Sequence, residues 1–321
     1  MENAIQNFAS QFLFSPIVEN KEKLKKNSSY IVSGMGGSNL APGLIKMRLP
    51  EKDMISHRDY GLPAVSKDVV LRSRIIASSY SGNTEETVDS FKVALRENLD
   101  TAVIASGGEL LALAEENAVP YVRIPDTGIQ PRSALGYSIR ALLALMDEEN
   151  LLDETAKAVA TLSSEIQKSE GKALAERVAG RVPIIYASTY NFPIAYNWKI
   201  KYNETGKIPA FCNALPELNH NEMTGFDVVE KTASLSDCFY FLFLTDTDDN
   251  PKISRRMDIL YDLYAKRGLR GEKIQIAQEN TWLKIFSSLM LADWAAFFNA
   301  LHYNLDPEQV PMIEEFKKKI A

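Results

Sequence analysis

Fourteen residues decide the fold: Arg74-Ile75-Ile76-Ala77-Ser78-Ser79-Tyr80-Ser81-Gly82-Asn83-Thr84-Glu85-Glu86-Thr87. The run Arg74 to Ala77 is short, apolar and β-branched, which suits a strand. Past Thr87 the spacing changes: Val88, Phe91, Ala94 and Leu95 share one face of a helix. A glycine among hydroxyls makes the turn between. Upstream, Tyr30-Ile31-Val32 enters Ser33-Gly34-Met35-Gly36-Gly37-Ser38, and Pro42 suits the first turn of the helix that follows. Downstream, Ala102 to Ala105 and Tyr121 to Ile124 read as further strands. Strands alternating with helices predict a parallel sheet covered on both faces.

The rest of the chain extends this pattern. The opening ~26 residues carry Ile5, Phe8, Phe12 and Leu13 at helical spacing and predict a short amphipathic helix with a Lys-rich exit. A long helical region runs from about Ser133 to Ala179. Strands then return at Val182 to Ala187, Cys238 to Thr245 and Glu272 to Ala277, and a long helix covers Asn280 to Tyr303. The halves read as two copies of one α/β architecture, residues 1–150 and 151–321. The length of 321 residues agrees with this at roughly ~150 residues per domain.

Composition excludes several classes. With 45% hydrophobic and 24% charged residues, the chain is neither disordered nor fibrous nor a disulfide-dense mini-protein. A net charge of -6 argues against a broad nucleic-acid surface. The two cysteines, Cys212 and Cys238, form no CxxC pair and suit a reduced, cytoplasmic setting. His57, His220 and His302 are too scattered for a metal-ligand pattern. The start at Met1-Glu2 lacks the features of a secretion signal. Asp293 and Asn299 interrupt the apolar stretch from Ile285 to Leu301, which reads as a buried helix and not a membrane span.

Both strand-to-helix turns suit an anion. Glycines let the backbone approach closely, and free N–H groups at a helix start point outward. The spacing in Ser33 to Ser38 is neither GxGxxG nor a P-loop, so a plain tight turn explains that segment equally well. The second turn is more telling. Asn83 with Glu86 resembles a capping box, but capping does not account for Ser79, Ser81, Thr84 and Thr87 together. Hydroxyls and N–H groups hold a phosphate without lysine or arginine. Turns on consecutive βα units meet at the carboxyl edge of the sheet, where open α/β folds bind ligands.

Six stretches carry a family resemblance: Ser33 to Ser38, Ser79 to Thr87, Gln130-Pro-Arg-Ser-Ala-Leu-Gly136, Asn203-Glu-Thr-Gly-Lys207, Pro216-Glu-Leu-Asn-His-Asn-Glu222, and Asp306-Pro to Lys317. The second alone resembles the sugar isomerase (SIS) domain family. The whole series, in order over nearly the full chain, resembles the bifunctional phosphoglucose/phosphomannose isomerases. That resemblance implies two SIS domains, each a flavodoxin-like three-layer sandwich. It implies a homodimer acting on hexose 6-phosphates without metal or cofactor. It gives Gly37, Ser38, Ser79, Ser81, Thr84 and Thr87 to the substrate phosphate, and Arg132 to the enediolate. Glu204 becomes the catalytic base, His220 the ring-opening histidine supplied across the dimer, and Lys317 a lysine assisting ring opening.

The residues can be weighed without the family. Isomerising an aldose to a ketose moves one proton between adjacent carbons, which calls for a base and for groups that steady the enediolate. Glu204 precedes an expected helix end, where a carboxylate is disfavoured by about 0.3–1 kcal/mol, a misfit that argues against a purely structural glutamate but that Lys207 can offset. From the residues alone an exposed glutamate is the simpler reading, and the motif context reverses it. Arg132 at a helix start implies an anionic partner, either a ligand or a surface carboxylate. His220 lies in a polar loop, where a lone histidine is most simply solvated, and histidine is the residue type suited to moving a proton between a ring oxygen and a hydroxyl. Lys317, within Phe316-Lys317-Lys318-Lys319, reads most simply as the solvated face of a terminal helix. One departure stands out. Seven residues before Lys317 the related enzymes carry Thr or Gln, and here Val310 stands beside Gln309. That bears on mannose 6-phosphate more than on glucose 6-phosphate. The other readings are an isomerase of another phosphosugar and a non-catalytic sugar-phosphate sensor. The acidic chain and the short segment before the first strand leave no room for the DNA-binding helices a sensor would need.

Overall fold

The computed structural model describes residues Met1–Ile320 and separates into two compact units. Gln6–Thr161 forms the first unit. Met1–Ile5 and the chain from Leu162 onward form the second.

The first unit holds strands β1 (Val18–Glu19), β2 (Ser29–Ser33), β3 (Asp53–His57), β4 (Arg74–Ser79), β5 (Thr101–Ala105) and β6 (Tyr121–Arg123). Helix α1 (Glu2–Gln6) lies in the second unit up to Ile5, and the helices of the first unit are α2 (Ala41–Arg48), α3 (Lys67–Arg72), α4 (Glu85–Arg96), α5 (Gly108–Glu116), α6 (Leu135–Leu145) and α7 (Glu149–Ala160). The strand order is β1-β6-β5-β4-β2-β3. All neighbours run parallel except β1, which pairs antiparallel through Val18↔Val122. Every residue of β2, β4 and β5 is buried, as parallel strands covered on both faces require. On one face Ala77, Val103 and Ala105 pack under Val88 and Phe91 of α4 and Leu110 and Leu111 of α5. Helix α6 lies on the other face.

The second unit holds β7 (Val182–Ser188), β8 (Phe211–Leu215), β9 (Phe239–Thr245) and β10 (Arg270–Gln275), all parallel in the order β10-β9-β7-β8. Its helices are α8 (Ser164–Val178), α9 (Phe192–Glu204), α10 (Glu222–Gly225), α11 (Pro251–Lys266), α12 (Thr281–His302) and α13 (Pro311–Ile320). Apart from the antiparallel edge strand β1, both sheets start at an inner strand (β2, β7), move one place outward (β3, β8), then cross to the other side (β4, β9). The two units therefore repeat one doubly wound plan, with five parallel strands in the first and four in the second. Helix α11 covers one face through Met257, Leu260 and Tyr264, which pack on Tyr186, Phe241 and Phe243. Helix α9 lies on β7 and also contacts α12. Trp198, Trp282 and Trp294 are all buried. Among the described residues no helix is long and apolar enough to cross a membrane.

Three expectations need correction. The N-terminal segment is not one amphipathic helix. After α1 comes a 3-10 turn, Phe8–Leu13, which buries Phe8 and Phe12 and leaves Leu13 exposed. Pro16 then lies between this turn and β1, where the chain is extended. The long helical region of the middle is three helices. Asp147, at φ 60°, ends the first in a left-handed turn, and Ser163 caps the third by accepting from the Ile166 N–H. Three strands, β1, β3 and β8, lie in segments that showed no strand pattern.

Candidate active site

The cradle grows from the strand order. β2 and β4 are neighbours, yet the chain leaves β2 toward β3 on the opposite side. Such a switch point opens a crevice at the carboxyl ends of the two strands. Both quoted turns stand there, locked to each other. The Ser38 hydroxyl accepts from the Tyr80 N–H at 3.0 Å, and Ser78 Oγ donates to the Ser38 carbonyl at 3.1 Å. Gly82 lies at φ 73°, and a Cβ there would meet the Gly107 carbonyl oxygen at 1.8 Å. Only glycine fits.

The start of α4 is left open. Asn83 does not cap it, contrary to the capping-box reading. Its Oδ1 instead accepts from the Glu109 N–H at 2.9 Å, at the start of α5. Thr84 occupies the cap position but makes no capping bond, because its hydroxyl pairs with Ser79 Oγ at 2.8 Å. Thr87 is fully buried and its Oγ1 has no partner among the described residues. Ser81 is exposed at the rim. An uncapped helix start ringed by hydroxyls can receive an anion.

Arg132 joins this cradle through a glycine. It sits in the 3-10 turn Pro131–Ser133, two residues before the N-cap of α6, and is 2% exposed. A Cβ on Gly37 would come within 2.5 Å of the Arg132 backbone nitrogen, so the two turns touch only because residue 37 has no side chain. Gln11 braces the arginine turn from the N-terminal segment. Its amide donates to the Ser133 carbonyl at 2.6 Å and accepts from the Gly136 N–H at 2.9 Å. The Arg132 guanidinium donates to Gln130 Oε1 at 3.3 Å.

The second unit carries the other candidates. Glu204 is the last residue of α9 and is half-buried. The Asn203 amide donates to the Ile208 carbonyl at 3.1 Å, and the buried Asn299 of α12 donates to the Gly206 carbonyl at 2.9 Å. One turn earlier, Lys201 and Asp293 form a buried ion pair at 2.6 Å. His220 ends the 3-10 turn Glu217–His220 and is exposed. Glu222, to which sequence reasoning gave no role, moors this segment. One carboxylate oxygen accepts from the Tyr186 hydroxyl and the other from the Asn213 amide. Burial, with Tyr264 and Glu222 nearby, pushes the Tyr186 hydroxyl far above the ordinary tyrosine range, so it stays a donor. Lys317 lies on α13, 63% exposed, and pairs with Glu314 at 2.9 Å.

The first unit thus gathers Gly37, Ser38, Ser79, Ser81, Thr84, Thr87 and Arg132 at one sheet edge. The second unit separates its own candidates. Helix α9 returns antiparallel to β7, so Glu204 lies at the amino edge of the second sheet. His220 follows β8, at the carboxyl edge. Five residues of β8 lie between those edges, about 17 Å at ~3.3 Å per residue. Among the described residues no group of three His, Cys, Asp or Glu side chains is placed to hold a metal ion.

Residues 167–320 match the family model described as the bacterial phospho-glucose isomerase C-terminal SIS domain. The bifunctional phosphoglucose/phosphomannose isomerase of Caldicellulosiruptor bescii is 34% identical over 308 residues, covering 91% of this chain and 89% of that protein. The enzyme of the same name from Aquifex aeolicus is 31% identical, covering 98% and 97%. Among solved structures, glucosamine-6-phosphate deaminase from Thermotoga maritima superposes with a TM-score of 0.66 at 14% identity, covering 96% of this chain and 94% of the other. The last likeness concerns the fold alone.

Proposed function

The chain belongs to the bifunctional phosphoglucose/phosphomannose isomerase family, and we propose that it interconverts glucose 6-phosphate and mannose 6-phosphate with fructose 6-phosphate by moving one proton through a cis-enediolate. One observation carries the reading of the site: the uncapped, hydroxyl-ringed start of α4, with Arg132 built in beside it at a switch point.

In this proposal the Ser38, Ser79, Ser81, Thr84 and Thr87 hydroxyls, with the N–H groups at the start of α4 and at Gly37, bind the phosphate. Holding it fixes the sugar against the groups that react. Glu204 takes the proton from one carbon and returns it to the next. The Arg132 guanidinium stabilises the charge that develops on the enediolate oxygens. Its burial strengthens that effect by excluding water.

His220 moves a proton between the ring oxygen and the adjacent hydroxyl, and Lys317 assists ring opening. The opposite-edge placement of Glu204 and His220 supports a homodimer in which His220 reaches a partner's substrate. Free Cys212 and Cys238, with no helix able to cross a membrane among the described residues, support a cytoplasmic setting.

A coupled assay with glucose and mannose 6-phosphates side by side tests the reading. Both substrates turn over, and Glu204→Gln loses at least ~100-fold in kcat with little change in KM, the size expected for a lost general base. Near-full kcat in that variant excludes Glu204 as the base.

A further inference from the structure

Lys207 has a backbone that suits glycine better than lysine. Its φ is 60°, in the left-handed region that side chains disfavour. Strain of this kind is a starting point for a functional hypothesis, and here the side-chain contacts supply the argument. The Lys207 ammonium donates to the carbonyl of Glu204 at 2.6 Å and also to the carbonyl of Gln309. It therefore ties the end of the helix that carries Glu204 to the segment that leads into α13. A cation on a terminal helix carbonyl is also favourably placed against the helix dipole. On the other side of the turn Asn299, fully buried on α12, holds the Gly206 carbonyl at 2.9 Å. Asn299 thus holds the turn Thr205–Lys207 to α12, and Lys207 ties it to the segment beyond that helix.

We propose that Lys207 is a positioning residue: a clasp that sets the Glu204 backbone against the segment ending at Val310. This rests on the reading of Glu204 as the base. A base that serves two adjacent carbons tolerates little displacement, and a shift of about 1 Å costs on the order of 100-fold in rate. The clasp does not touch the reacting atoms and acts only through the placement of Glu204.

The test exploits the strained backbone. Lys207→Gly removes the clasp and relieves the left-handed strain, so a structural lysine and a positioning lysine give different results. The expected outcome is a protein at least as resistant to urea as the wild type, with kcat lowered 10- to 100-fold and KM within about threefold. Lys207→Arg, which keeps the cation and its donors, retains most of kcat. Amide exchange quickens in Lys207→Gly at Thr205 to Ile208 and at Leu305 to Val310. Wild-type kcat with unchanged exchange in Lys207→Gly overturns the clasp, and so does a kcat loss that merely follows lost stability. If Glu204→Gln keeps full activity, the base assignment fails. The exchange measurement then decides by itself whether the clasp exists.

Discussion

On the proposed reading, Thr87 is a single hydroxyl that reports on the ligand. It is buried with no hydrogen-bond partner among the described residues, an arrangement that costs free energy in a protein that binds nothing there. Thr87→Val keeps the shape and removes the orphan, so folding stability holds or rises slightly. The substrate phosphate loses a donor at the same time. The expected result is a KM for glucose 6-phosphate raised about 5- to 13-fold, the ~1–1.5 kcal/mol of one hydrogen bond, with urea resistance unchanged. Destabilisation with an unchanged KM would assign Thr87 to the fold alone. Asn83 carries the opposite lesson. Its spacing to Glu86 imitates a cap, but its side chain holds the next turn. Sequence spacing cannot tell which of two adjacent helix starts a side chain will reach.

Elements were legible where the local pattern was strong. β2, β4 and β5 are continuous apolar runs because helices cover both faces, and each was readable. β8, Phe211-Cys212-Asn213-Ala214-Leu215, lies at the sheet edge with Phe211 exposed, so its pattern is blurred. The break at Asp147 depends on a backbone angle that aspartate tolerates but does not announce. The cradle and Arg132 were legible as motifs. Their contact through Gly37 was not, because it is set by tertiary approach.

Helix α12 holds the second unit through a buried network that no motif signalled. Lys284, 2% exposed, pairs with Asp246 at 2.6 Å, and the Asn191 amide donates to Asp246 and Asp249. Lys284→Met strands Asp246 as a buried anion and should cost about 3–5 kcal/mol in urea unfolding. A loss below ~1 kcal/mol would mean that water or a shifted side chain replaces the lysine.

At the scale of the whole molecule, Glu204 and His220 stand at opposite edges of one sheet. On the proposed reading, a site that uses both draws them from two chains. Glu204→Gln and His220→Ala should each be nearly inactive alone. Unfolded together and refolded as a mixture, they should regain about a quarter of wild-type activity. Half the dimers are then mixed, and each mixed dimer holds one intact site. No recovery, with mixed dimers demonstrably present, would place both residues in one chain's site.

The central claim is proton transfer by Glu204 on a hexose 6-phosphate. The most direct measurement follows deuterium by NMR while glucose 6-phosphate is incubated with the protein in heavy water. The wild type should place solvent deuterium on the sugar at the carbons next to the carbonyl and form fructose 6-phosphate, while Glu204→Gln should do neither at a comparable rate. Deuterium entering at the wild-type rate in Glu204→Gln would contradict the account.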